Sequence, residues 1–346
     1  MSAVRLAVVG AGRQCTKSLM PALPFINEID LVAICDLQRE LAERNARSFG
    51  ARSVYTDVAK MLQEEAPDAV MVVGPPQMHE EIGLQVLEAG AHLWIEKPAA
   101  PTVEGAHRLV VAARRAGKIG QVGHMMRHAD PIRIAWDIAH EEGFGQILSV
   151  ESRYTTWPTA RIAEGQGWGE PDEEWTYMLV QGGHPIDLLR HFLGPLRRVA
   201  AMRSHGRGTA KVYQVAVEGD AGRCGFLNLQ DSLNGWTTGL EVVGDGEGTV
   251  RVDDLGRVVY RRGERRTPAE SETSGNSAYI WEPHHTLTHW QRSGYGNQLR
   301  HFARCILDRS EPYPSLWDGW QNLVVARSIL ESCASGQIVD VPQATA

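Results

Sequence analysis

Residues Val4 to Cys15 read VRLAVVGAGRQC, and about one βα unit later Leu31 to Cys35 read LVAIC, followed by Asp36. Val4, Leu6, Ala7, Val8 and Val9 form a short, near-continuous apolar run, the composition of a strand buried on both faces of a parallel sheet. The run breaks at Gly10. Gly10 and Gly12 supply a tight turn and a close backbone approach, so that a pyrophosphate can rest on the N-terminus of the next helix. The third position of this fingerprint is Cys15, only moderately larger than alanine and packing as a small hydrophobe. Asp36 closes the second strand, where a carboxylate accepts from the adenosine ribose hydroxyls and repels a 2′-phosphate. The stretch implies dinucleotide binding, with NAD favoured over NADP; its bland alternative is a structural turn that holds no phosphate. Arg39 is the one nearby residue that could blunt the preference, and its other reading is a solvated helix charge.

At 346 residues the chain is long enough for two domains, each able to fold without crosslinks. A 43% hydrophobic and 22% charged content is that of a soluble globular protein, and the net charge of -7 argues against a nucleic-acid partner. The densest basic run, Arg261, Arg262, Arg265 and Arg266, is broken by Gly263 and Glu264 and reads as a hairpin edge or surface loop. Five dispersed cysteines with no CxxC predict free thiols in a reducing compartment. His284, His285 and His289 lie close together but lack an acidic or cysteine partner, so no metal is expected. No apolar stretch approaches transmembrane length, and the N-terminus runs directly into the first strand, which predicts no membrane association and a cytoplasmic location.

Downstream the pattern continues as alternating strands and helices. Helices are predicted over Lys17–Leu23, Leu37–Phe49, Asp57–Glu64, His79–Ala89 and Thr102–Ala116, with Thr102 as N-cap and Gly117 as terminator. Strands are predicted at Ser53–Tyr55, Asp68–Val73, His92–Ile95 and Ile119–Gly123. Pro75 and Pro76 end one strand and leave a rigid loop at its C-terminal end, where an open parallel sheet presents its ligands. Six strands with helices between them make a doubly wound parallel sheet over residues 1–123. Beyond that the period changes to two, with hairpin-length connections, from Ile147–Thr156 through Val258–Tyr260. Residues 124–346 therefore form an α+β domain on a large, open, mostly antiparallel sheet, and the final helix could pack back on the first domain.

The turn at Gly10 and Gly12, Pro75-Pro76 with His79, AGAHLWIEKP ending in Glu96-Lys97-Pro98, GGHPIDLLRHFLG from Gly182, and DGWQNLVVARSILESCASGQIV from Asp318 together resemble the Gfo/Idh/MocA family of NAD(P)-dependent oxidoreductases. The resemblance spans nearly the whole chain. It implies an N-terminal Rossmann domain, a C-terminal α/β domain on an open antiparallel sheet, and substrates among sugars, inositols and their derivatives. It also implies a homodimer or homotetramer, since an exposed sheet face that is largely apolar is usually buried against a partner.

The resemblance places cofactor contacts on the glycine turn with Arg13 and Gln14, on Asp36, on Pro75, Pro76 and His79, and on Glu96 and Lys97. Lys97 follows a parallel strand at the ligand edge of the sheet, where an ammonium can stabilise an oxyanion as hydride leaves carbon. Glu96 reads as an orienting or ribose-side group, and the resemblance suggests a cis peptide before Pro98. His184 is the candidate general base, with Asp187 one turn later on the same helix face. Its other reading is a helix N-terminal histidine bonded to nearby backbone. Many family members carry an acid four residues before this histidine; here that position is Val180, with Gln181 beside it, so the carboxylate that would orient the imidazole is missing and Asp187 could take its part. Arg127 matches a basic position at the domain junction that contacts substrate or supports Lys97. Tyr154, Trp157 and Arg161 are expected pocket walls, with Trp157 able to stack on a sugar face. Trp168, Trp175, Trp281 and Trp290 are expected near a cleft.

These readings converge on an NAD-dependent dehydrogenase acting on a secondary alcohol or ketone of a sugar, inositol or related cyclic polyol. Two alternatives share the same residues: an enzyme that keeps its NAD tightly held with no net redox change, and a non-catalytic NAD-binding sensor or assembly protein.

Overall fold

A computed structural model describes residues 3–156, 172–206, 210–231, 235–246, 248–263, 277–283 and 289–343. They divide into two compact units. The first holds the described residues of 1–128 and 288–324, the second those of 129–163, 172–287 and 325–346. The first unit thus extends past Gly123 and recovers a segment from the far end of the chain.

In the first unit six parallel strands lie in the order β3-β2-β1-β4-β5-β6. They are β1 (Val4–Val9), β2 (Ile29–Cys35), β3 (Ser53–Tyr55), β4 (Ala69–Val72), β5 (His92–Ile95) and β6 (Gly120–Val122). The apolar runs at the centre of the sheet are buried on both faces: all of β4 is inaccessible and Val8 pairs with Ile34 and Met71, while β3 at the edge is half-buried. The connecting helices are α1 (Arg39–Phe49), α2 (Val58–Glu65), α3 (Pro76–Glu88) and α4 (Val103–Ala116). Asp57 caps α2 through the Lys60 amide and Thr102 caps α4 through the Gly105 amide, each contact contributing about 1 kcal/mol. Gly117 ends α4 at φ +62°.

Two helices begin elsewhere than the sequence predicts. The helix after Gly12 starts at Arg13 and is irregular, a π turn over Cys15–Leu19 followed by a 3-10 turn over Met20–Phe25. Pro21 cannot donate to the turn before it, so the α ladder stops there. Helix α3 starts at Pro76, not His79, because a proline costs nothing at the first helical position, where the N–H has no intrahelical partner.

The second unit opens with α5 (Asp130–Ala139) and β7 (Ile147–Thr155). Helices α6 (Glu173–Tyr177) and α7 (Gly183–Leu193) follow, then β8 (Leu196–His205), β9 (Lys211–Gly219), β10 (Cys224–Gln230), β11 (Thr237–Gly244), β12 (Gly248–Asp253), β13 (Arg257–Arg262) and β14 (Ser277–Trp281). With β15 (Val339–Asp340) these build a nine-stranded sheet, β14-β13-β12-β11-β7-β10-β9-β8-β15, antiparallel except for the parallel pair β7 and β10. Helix α7 packs on β7 and β10, and α5 on β12 and β13, so one face is covered.

The other face differs from the apolar surface expected of it. Along one row Ala200, Ala216 and Phe226 lead to Glu151, Glu241 and Arg251, then to Val259 and Ile280. Phe226 and Ile280 are more than half exposed, but the middle of the face is charged, with Arg153 and Asp253 beside that row. Glu151 and Glu241 sit directly opposite each other, a repulsive pair that the flanking arginines offset.

Returning to the first unit, α8 (His289–Arg292) and α9 (Tyr295–Asp308) pack on β1 and the turns that follow it. The last helix, α10 (Leu316–Ser335), gives its first half to this unit and its second half to the other. Among the described residues no helix is long and apolar enough to cross a membrane.

Candidate active site

On the first unit the functional side chains gather at the C-terminal edge of the parallel sheet. Gly10 has φ +93°, and a Cβ there would overlap the Val73 carbonyl oxygen, so only glycine fits. Gly12 is exposed and no described atom lies within 4 Å of where its Cβ would be, leaving the backbone open to a ligand. Arg13 is exposed beside it. Asp36 is aimed back at this turn: Ala11 N donates to Oδ2 at 2.7 Å and Gln38 N donates to Oδ1 at 2.8 Å. Each carboxylate oxygen keeps a second lone pair with which to accept from a ribose hydroxyl. The turn is braced by two residues that the sequence reading missed. Buried Asn45 donates to the Ala11 carbonyl at 2.8 Å, and the Thr16 hydroxyl donates to the same oxygen at 3.0 Å. An asparagine on an otherwise apolar helix face was the only available signal. Cys15 is fully buried, and burial pushes its thiol pKa far up, so it packs as the small hydrophobe expected.

The open glycine, the positive-φ turn and the locked carboxylate fit a dinucleotide; the neighbouring loops need one correction. Pro75 is half-buried at the α3 N-cap and Pro76 is buried. His79 is not a ligand contact. Its Nε2 accepts from Gly74 N at 3.1 Å, its Nδ1 donates to the Pro98 carbonyl at 2.8 Å, and the ring is inaccessible. Burial pulls its pKa down to about 4, so it stays neutral and ties the loop after β4 to the loop after β5.

That second loop carries Glu96 and Lys97, and the Lys97–Pro98 peptide is cis. Glu96 is buried, with Lys97 N donating to Oε2 at 2.8 Å and Gln14 Nε2 donating to Oε1 at 3.2 Å. Burial raises the Glu96 pKa, while burial lowers that of Lys97 and the Glu96 charge partly restores it. Arg127 is buried and paired with Asp318 at 3.2 Å, which ties the end of the sheet to α10.

On the second unit His184 is not at a helix start. Asp172 caps α6 by accepting from Glu174 N and Trp175 N, and the helical path continues through a π turn over Met178–Gly182 into α7. The Gly182-Gly183 pair imitates a beginning, but Trp175, Met178 and Leu179 before it are buried and hold the chain helical. His184 therefore does not stand at the start of a helical segment, where its other reading places it. The π turn resets the helix register immediately before His184, a feature common at functional sites. His184 and Asp187 are both buried on one face of α7, and Val180 and Gln181 are buried in the π turn.

The Tyr154 ring, at the end of β7, lies 5.9 Å from the His184 ring. Trp236 packs edge-on against Tyr154 at 6.1 Å, a neighbour that the sequence did not single out. Burial pushes the Tyr154 phenol pKa well above its ordinary value. Trp157, Arg161, Trp168, His284 and His285 lie outside the described residues. Trp175 is buried, with Arg327 over its ring at 4.0 Å, and Trp290 stacks on Phe25 at 5.5 Å, so both are packing residues.

Two family descriptions match this chain: "Oxidoreductase family, NAD-binding Rossmann fold" over residues 4–124, and "Oxidoreductase family, C-terminal alpha/beta domain" over residues 140–341. The chain is 34% identical over 243 residues to D-glucoside 3-dehydrogenase of Escherichia coli, covering 68% of this chain and 66% of that protein. It is 26% identical over 351 residues to inositol 2-dehydrogenase 3 of Saccharopolyspora erythraea, covering 98% and 95%. A crystal structure of a dehydrogenase from Chromobacterium violaceum superimposes with a TM-score of 0.86 at 26% identity, over 97% of this chain and 96% of that one.

Proposed function

The chain belongs to the Gfo/Idh/MocA family of oxidoreductases, and we propose that it is an NAD-dependent dehydrogenase for a secondary alcohol, or the matching ketone, of a sugar, inositol or related cyclic polyol. The observation that carries this reading is the shared edge of the first unit. Gly10, Asp36 and the Glu96-Lys97 loop all end parallel strands on the side where such sheets bind nucleotides. The substrate class rests on the relatives named for glucosides and inositols.

Bound at the Gly10 turn, NAD supplies the hydride acceptor. Lys97 donates a hydrogen bond to the substrate oxygen and stabilises the negative charge that grows on it. His184 takes the hydroxyl proton, and Asp187 favours the imidazolium that results. Tyr154 and Trp236 give the His184 side an aromatic wall that suits the apolar face of a sugar or cyclitol ring. Steady-state NADH formation against inositols, glucosides, aldoses, uronic acids and deoxysugars tests the reading. NAD binding without turnover of any of them would replace it with a sensor or assembly role, and NAD that survives purification without net NADH formation would point to internal redox cycling.

Cofactor choice follows from Asp36. A carboxylate fixed by two backbone amides cannot swing away from a 2′-phosphate, so NAD binds more tightly than NADP. Asp36→Ala weakens NAD binding by about tenfold or more, the effect of losing charge-assisted hydrogen bonds. Calorimetric titration of both cofactors checks this, and tighter NADP binding by the unmodified protein overturns it.

The assembly is a homodimer or homotetramer. Exposed Met202, Phe226 and Ile280 flank the charged middle of the open sheet face, and a second copy in a two-fold arrangement can set its arginines against Glu151 and Glu241. Light scattering at micromolar concentration is expected to return at least twice the 38.2 kDa of one chain; a monomer mass rejects the proposal. Five dispersed cysteines with no CxxC spacing fit a reducing, cytoplasmic setting.

A further inference from the structure

Tyr295 opens α9 and is nearly buried, although it stands 281 residues from Gln14 in the chain. Its phenol oxygen lies 3.2 Å from Gln14 Nε2, which is also 3.2 Å from Glu96 Oε1. Both amide hydrogens of Gln14 are thereby engaged, one by the tyrosine and one by the carboxylate. Glu96 Oε2 accepts from the Lys97 backbone at 2.8 Å. A continuous line of polar contacts runs from α9 through the glycine turn to the loop of Lys97.

We propose that Tyr295 is a positioning residue for the reaction, holding Gln14 against Glu96 so that the carboxylate keeps its place beside Lys97. The proposal deepens the dehydrogenase reading and rests on it for the role of Lys97. A phenol accepts one Gln14 hydrogen and leaves the other directed at the carboxylate; without it the amide can rotate and the carboxylate loses a donor. Burial opposes charge on both Glu96 and Lys97, so each depends on its partner. Of the ionisable groups near them, the Cys15 thiol and the His79 imidazole are both neutral through burial, Asp36 acts on Cys15, and His124 is bonded to Asn322.

The test needs no substrate. The chain has five lysines, so ¹³C reductive methylation gives few NMR resonances, and that of Lys97 is assigned by its loss in Lys97→Arg. The titration of Lys97 is expected to move to lower pH by about 0.3 unit or more in Tyr295→Phe, and further in Gln14→Leu. In Glu96→Gln it should move by about one unit or more, the usual effect of removing an adjacent opposite charge. Phenylalanine fills the same space as tyrosine, so a purely structural role for Tyr295 leaves the Lys97 titration where it was. An unmoved Lys97 in Tyr295→Phe overturns the proposal, as does an unmoved Lys97 in Glu96→Gln. Should the unmodified protein form NADH from no polyol or sugar, the dehydrogenase reading fails while the NMR result still stands on its own.

Discussion

Replacing His184 with alanine is expected to lower the oxidative rate by roughly 10² to 10⁴-fold, the range for loss of a general base. Oxidation needs the imidazole neutral, so in the unmodified enzyme kcat/KM falls as pH drops through the titration of the base. That acidic limb should vanish in His184→Ala. Asp187 is buried one turn further along α7, and a carboxylate there favours the imidazolium. Asp187→Asn should therefore move the limb to lower pH and reduce the rate at its plateau. The three kcat/KM profiles, measured with one confirmed polyol or sugar, decide the matter. An unchanged profile in His184→Ala would mean that the proton leaves by another route, with neutral Lys97 the first group to examine. Val180 gives the Asp187 variant its diagnostic value, because no acid stands at the position where family members often carry one.

Lys97→Ala should cost on the order of 10²-fold or more in turnover, comparable to losing an oxyanion donor. NADH affinity, read by fluorescence titration, should change by less than about threefold if, as proposed, the lysine works on the reacting oxygen while Gly10, Gly12 and Asp36 hold the nucleotide. The pH dependence has a definite sign. Burial lowers the Lys97 pKa and the Glu96 carboxylate raises it again. A step that needs the ammonium loses rate as pH rises through that pKa. The alkaline limb should disappear in Lys97→Arg, whose guanidinium stays charged, and shift to lower pH in Glu96→Gln. Equal turnover by Lys97→Ala and the unmodified enzyme would remove Lys97 from the chemistry.

The central strands β1, β2, β4 and β5 were legible because strands buried on both faces must be largely apolar, and Gly10 because a positive φ at a crowded turn admits only glycine. Helix boundaries were less so. Pro75-Pro76 reads equally well as a loop or as a helix start, and only the backbone path shows that Pro76 takes the first helical position. Gly182-Gly183 reads as a helix beginning, yet the buried face of Trp175, Met178 and Leu179 carries the helix through. Sequence motifs mark which residues cluster, not which atoms they spend. His79 fits the motif for a cofactor contact but uses both ring nitrogens inside the protein, and Arg127 spends its charge on Asp318.

By itself the sequence determined the order of strands and helices in the first unit, the antiparallel character of the second, and the glycine turn that Asp36 faces. These follow from local rules of periodicity, backbone sterics and side-chain chemistry that act over a few residues. Tertiary structure alone decided that Asn45 braces the glycine turn, that Tyr295 reaches Gln14 from the far end of the chain, that Trp236 stands beside Tyr154, and that the open sheet face is charged at its centre. Each of these depends on segments distant in sequence coming together. Which residues meet across a sheet or between helices is set by register and packing, and no spacing along the chain encodes it.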